Sequence, residues 1–369
     1  MKKTLTALAV LSATSGLALA AKPDVTMYGI VDAGVMTQNH TNAGGSNTAF
    51  TDAQIDPSIF GIKGGTDIGG GLKAGFTLEG GFSTGNGMHN SPGIYQSSVF
   101  GREAKVTIGG DWGTIGAGMQ LDPALIASIG TEPRGLTDSF SNLENWILAT
   151  AGNGDANSGS LQGGIFDTNA LTYTYSANGL YLGAEYGFGG VSGHSSANST
   201  SSVGASYSNS GFTVSGGYAT ANGKTAANYG KSSEIDFLGL GYATGPIALR
   251  AQFGEFKSGY VAGTAGADVQ NAGIGMDYKT SGANLINLAY YNAKDKGATA
   301  GGKTTELALM DKYDLFKNTS VFAQLANVKA DTNAGVSAAI GGVYTASGEL
   351  FAPAGMTTTY AGLGMQYMF

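Results

Sequence analysis

Alternation with a period of two residues runs from near residue 25 to the last residue, and it limits this chain more than any other feature. A strand points successive side chains to opposite faces, so this period marks a sheet whose two faces meet different surroundings. In 25–35, Val25, Met27, Gly29, Val31, Ala33 and Val35 share one face, and Thr26, Tyr28, Ile30, Asp32 and Gly34 the other. Leu72, Ala74, Phe76 and Leu78 alternate with Lys73, Gly75, Thr77 and Glu79. Leu180, Leu182, Ala184, Tyr186 and Phe188 alternate with Tyr181, Gly183, Glu185 and Gly187. The chain closes with Ala361, Leu363, Met365, Tyr367 and Phe369 against Tyr360, Gly362, Gly364, Gln366 and Met368.

The breaks between these segments are alternately short and long. Short ones such as 68–70, 111–113, 177–179, 208–210 and 281–283 carry residues suited to tight hairpins. Long ones, at 39–54, 84–96, 120–167, 189–199, 221–233, 257–268, 294–303 and 330–357, are rich in Gly, Asn and Ser. The pattern predicts about sixteen strands, beginning near residues 25, 55, 71, 97, 114, 168, 180, 200, 211, 234, 246, 269, 284, 304, 319 and 358. An even number of antiparallel strands with short turns at one end and long loops at the other is the plan of an outer-membrane barrel. A soluble sandwich seldom needs so many strands, and a β-solenoid would show a fixed short repeat that is missing here.

The N-terminus fits this destination. Lys2 and Lys3, a short apolar run and Ala18-Leu19-Ala20 have the layout of a signal peptide cleaved after residue 20, leaving 21–369 as one barrel domain. Removing the two lysines takes the net charge from −7 to −9. An acidic chain is not drawn to nucleic acid. With no Cys, disulfide frameworks and thiolate sites are excluded. Residues 297–304, GATAGGKT, formally match a phosphate-binding loop with Lys303 and Thr304 at its end. That motif needs a helix next, yet Leu307 and Leu309 alternate with Glu306 and Ala308 as in a strand. His40, His89 and His194 fall in expected loops without ligand spacing. No catalysis and no cofactor are expected.

Several stretches, in order, resemble the trimeric general porins of Gram-negative bacteria, beta-proteobacterial ones above all. They are VTMYGIVDAGV at 25–35, FGIKGGTDIGGGLKAGFTLEGGF at 60–82, FGREAKV at 100–106, GTIGAGMQLD at 113–122, YDLFKNTSVFAQLANVK at 313–329 and GLGMQYMF at 362–369. The resemblance implies a 16-stranded antiparallel transmembrane β-barrel, all-β, whose long third loop, here 120–167, folds into the pore. It implies a homotrimer in the outer membrane, in contact with the lipid bilayer and lipopolysaccharide and passing ions and small hydrophilic solutes. It also implies that Phe369 is the signal read by the barrel-assembly machinery. A substrate-specific porin and a non-conducting structural or adhesive barrel are the rival expectations.

If apolar residues face lipid, Tyr28, Asp32, Lys63, Lys73, Glu79, Arg102, Glu185, Arg250, Glu306 and Lys312 point inward. Lys63, Lys73 and Arg102 stand out because the related strands face the third loop. Alternation counted from Arg102 puts Glu103 and Lys105 outward, at a trimer interface unless the register shifts. Beside Phe60, where the family usually has Arg, stands Ile59, and before Gln120 stands Met119. The expected constriction loop carries Asp122, Glu132, Asp138, Glu144, Asp155 and Asp167 against Arg134 alone. Counting these charges predicts a weak preference for cations.

Overall fold

The computed structural model describes residues 24–89, 98–143, 165–223, 232–258, 268–297, 301–334, 343–345, 348–350 and 352–369. The expected signal peptide therefore lies outside the described residues. The strands are β1 (Asp24–Gln38), β2 (Asn47–Asp52), β3 (Ile59–Gly69), β4 (Leu72–Gly81), β5 (Glu103–Gly110), β6 (Gly113–Leu121), β7 (Phe166–Ala177), β8 (Leu180–Gly187), β9 (Thr200–Asn209) and β10 (Phe212–Asn222). They continue with β11 (Ser232–Thr244), β12 (Ile247–Ser258), β13 (Asp268–Ser281), β14 (Asn284–Asp295), β15 (Lys303–Phe316), β16 (Thr319–Ala330), β17 (Val343–Thr345), β18 (Gly348–Leu350) and β19 (Thr357–Met368).

Each barrel strand pairs antiparallel with its neighbours, and β19 closes the sheet on β1, from Ile30 opposite Met368 to Gln38 opposite Tyr360. β2 and β3 share one place beside β1, β2 on residues 33–38 and β3 on residues 24–30. The seventeen strands of the sheet thus form sixteen staves. Closure leaves no unpaired edge, as a sheet in lipid requires.

The chain leaves the second stave between β2 and β3, and Asp32 holds the excursion. Its carboxylate accepts the backbone N–H groups of Gln54, Ile55 and Asp56 at 3.1, 3.2 and 3.4 Å. Ser58 Oγ accepts the N–H of Asp32 and donates to its carbonyl. Residues 47–52, expected in a loop, pair with β1 as β2, and after the excursion the chain rejoins β1 as β3. The small hairpin β17–β18 and a short helix, Pro123–Ser128, likewise fall in expected loops.

Alternation fixes the faces as expected. On β11, Leu238 and Leu240 are 71% and 64% exposed on the outer face, while Phe237 between strand neighbours on the inner face is 4% exposed. Short turns join successive pairs at one end; Asn178 and Gly179, both with positive φ, make the primed hairpin turn that follows strand twist. β15 begins at Lys303 and continues as a strand, so no helix follows the formal phosphate-loop match, of which 298–300 lie outside the described residues.

Candidate functional site: the barrel interior

The segment after β6 lies against the inner face. Asp122 starts it, accepting the N–H groups of Ala124 and Leu125 at 2.6 and 3.0 Å as the N-cap of the short helix, with Pro123 next. Ser202 of β9 donates to the same oxygen at 2.7 Å, which ties the cap to the wall. Further on, Thr131 Oγ1 lies 2.6 Å from Ser215 Oγ on β10. Glu132 accepts the N–H groups of Arg134, Leu136 and Asn142 and the hydroxyl of Tyr291 on β14. Arg134 donates to Asn287 Oδ1 on β14, to Gln324 Oε1 on β16 and to Thr137. Asp138 N–H donates to the Ile55 carbonyl and Ser139 N–H to that of Gln54, so the segment ends on the excursion pinned by Asp32. Phe140 packs edge-on against Tyr360, with ring centroids 5.2 Å apart.

This path places four of the expected site residues. Asp122, Glu132, Arg134 and Asp138 are all buried, at 1%, 0%, 4% and 4% exposure; the first three fix the segment to the wall through their side chains, and Asp138 is held by its backbone N–H. Burial raises the Asp122 carboxyl well above the ordinary range, helped by Asp167 and opposed by the bonds from Ser202, Leu125 and Ala124. Burial likewise raises Asp138; Arg102 opposes the shift, and Asp56 and Asp32 add to it. Asp167 is also buried. Glu144 and Asp155 lie outside the described residues.

The opposite wall, β1 and β3–β5 with the bend before β5, carries Lys63, Lys73 and Arg102. Lys63, exposed on β3, holds its Nζ 4.9 Å from the centroid of the Tyr28 ring. Tyr28 Oη donates to Glu79 Oε2 at 2.8 Å, and Arg102 Nε lies 2.6 Å from Glu79 Oε1. The Arg102 guanidinium also lies over the Phe166 ring at 4.7 Å. Lys73, exposed on β4, is the direct partner of Asp67 towards the short turns. The structure thus joins Lys63 and Arg102 through Tyr28 and Glu79, and sets Lys73 apart.

Glu103 and Lys105 are corrected. They stand directly opposite Glu79 and Thr77, on the inner face, with Lys105 Nζ 2.5 Å from Glu103 Oε1. Arg102 sits in a bend before β5, so counting from it starts the alternation one residue out of step. Val106 and Ile108, exposed at 61% and 39%, mark the true outer face, and they were the signal by which the sequence could have placed both residues. Among the described residues no group of three or more His, Asp or Glu is arranged to hold a metal ion.

A family model described as Gram-negative porin matches residues 7–333. Outer membrane porin protein 32 of Delftia acidovorans is 28% identical over 391 residues, spanning 100% of both chains. Among solved structures, an anion-selective porin from Comamonas acidovorans superposes with a TM-score of 0.75 at 24% identity, covering 94% of this chain and 100% of that one. The trimer form of OmpT from Vibrio cholerae gives 0.63 at 12% identity over 95% of this chain and 100% of that one.

Proposed function

This chain belongs to the Gram-negative porin family, outer-membrane channel proteins and not enzymes, and we propose that it is a general diffusion pore for small hydrophilic solutes that favours anions. One observation carries the ion preference: the wall lysines Lys63 and Lys73 are exposed, whereas Asp122, Glu132, Asp138 and Asp167 are buried. Ions in a narrow water-filled lumen respond to charges within a Debye length of ~8 Å that water can reach. The cation preference expected from counting loop acids gave those carboxylates a lumenal position, and it is not supported. The anion selectivity stated for the Comamonas porin agrees with the new reading. The zero-current potential across a tenfold KCl gradient tests it: an anion-selective sign supports the proposal and a cation-selective sign ends it. Saturable conductance with one class of solute would favour the substrate-specific alternative, and a silent bilayer the structural one.

In this reading the segment from Asp122 onward narrows the lumen, and residues 1–20 are removed on export. Phe369 would be the assembly signal, and the outer wall would meet lipopolysaccharide. The working unit is a homotrimer. Exposed tyrosines ring the outer face on β7–β11, β13–β15 and β19, as an aromatic girdle at the lipid boundary does. On β1, β5 and β6 that face carries instead Val25, Met27, Val35, Val106, Ile108 and Ile115, and on β3 and β4 it carries Phe60 and Phe76, with no tyrosine among them. Such a face suits a second and third copy better than a headgroup layer. The outward placement of Glu103 and Lys105 no longer supports this assembly, since both face inward. Mass measurement in mild detergent that finds only monomers would exclude the trimer.

A further inference from the structure

Residues 123–133 lie along a glycine-rich lane of the inner wall. Gly183, Gly204 and Gly217 are direct partners across β8, β9 and β10. Ser215, Gly239, Gln252 and Gly273 are direct partners across β10 to β13. A Cβ on Gly204 would stand 2.2 Å from the Pro123 carbonyl oxygen, and one on Gly217 2.7 Å from Ala124 Cβ. On Gly239 it would stand 2.0 Å from Thr131 Oγ1, and on Gly275 2.3 Å from the Pro133 carbonyl oxygen. None of these glycines has a positive φ, so the backbone conformation admits any residue there. Glycine in a strand interior weakens the strand and often marks the close approach of another backbone. Here that backbone is the segment itself.

We infer that Gly204, Gly217, Gly239 and Gly275 are size-selectivity determinants: by letting the segment lie directly on the wall, they set how much of the lumen stays open. The inference rests on the reading that this segment narrows a conducting pore. The wall strands are hydrogen-bonded on both sides and cannot retreat, so an added methyl lifts the segment. Bringing a 2.3 Å approach to the ordinary contact distance of 3.4 Å or more moves it inward by about 1 Å.

Unitary conductance and liposome swelling with sugars of graded size test this on purified wild type, Gly204→Ala, Gly275→Ala and Gly65→Ala. Gly65 is on the inner wall away from the lane, where a Cβ would come no nearer than 3.3 Å to another residue. Conductance should fall roughly twofold in the two lane variants, with a smaller sugar cut-off, and stay unchanged in Gly65→Ala. Gly239→Ala should behave as a lane variant, and Thr131→Gly in the same chain should restore it, because the Thr131 side chain is what the new methyl meets. Folded lane variants with wild-type conductance and cut-off would overturn the inference. If single lane variants do not fold, the pair decides: recovery of folding and conductance by Thr131→Gly supports the inference, and failure to recover overturns it. A wild type that does not conduct would instead overturn the reading beneath it.

Discussion

The hydroxyl of Tyr291 donates to Glu132 Oε1 across 2.7 Å, and the same carboxylate takes three backbone N–H groups of its own segment. Glu132 is a staple between wall and segment, and its charge is spent there. Tyr291→Phe removes a hydrogen bond to a charged group, a loss of about 1.5–3 kcal/mol. The expected outcome is a lower midpoint of thermal unfolding with an unchanged zero-current potential. A potential that moves with this variant would show that Glu132 acts on passing ions.

Lys63 stands in the opposite position, exposed and over the Tyr28 ring. Lys63→Glu should therefore leave folding intact and move the zero-current potential in a salt gradient towards cations, with Lys63→Gln between the two. The shift should shrink as salt rises, because the Debye length falls to ~3 Å at 1 M. An unchanged potential at low salt would remove this lysine from selectivity.

The faces of the barrel were legible in the sequence because each strand repeats its own alternation, as in 180–188, where every inward or outward placement holds. Strand starts on β8, β9, β14 and β16 coincide with the expected ones for the same reason. Glu103 and Lys105 went wrong where a bend at Arg102 resets the count, although Val106 and Ile108 carried the correct parity. The break between β2 and β3 was hidden because it depends on Asp32, more than twenty residues before the backbone groups it binds. The loop acids were legible as residues but not as environments. Whether Asp122 faces water or Ser202 is a matter of tertiary packing, and a charge count has no access to that.

The last residue meets β1 at a glycine. Phe369 and Gly29 exchange both backbone hydrogen bonds at 3.0 Å, and a Cβ on Gly29 would stand 2.4 Å from Phe369 Cζ. Gly29→Val should displace the ring and weaken the closing seam by about 1–3 kcal/mol, as overpacking does. Slower appearance of the heat-modifiable folded form during refolding would register it, and refolding at the wild-type rate would count against a role for this contact in closure.

Asp138 supplies the pH dependence. The carboxyl is buried where the segment meets the excursion between β2 and β3, with Asp56 and Asp32 adding to the upward shift and Arg102 opposing it. Between the ordinary Asp range near ~3.9 and the raised value, the folded protein holds a proton that the unfolded chain has lost. Stability falls with rising pH wherever the folded state binds more protons, so the contribution of this carboxyl is full in acid and is lost as pH rises through that interval. Asp122, raised chiefly by burial and then by Asp167, has the same sign at the other end of the segment. The thermal midpoint of the wild type should therefore decline from acid towards alkaline pH. Asp138→Asn keeps the shape of the neutral form and removes one of these protons, so its decline should be shallower. An identical slope in the variant would show that Asp138 does not titrate on folding.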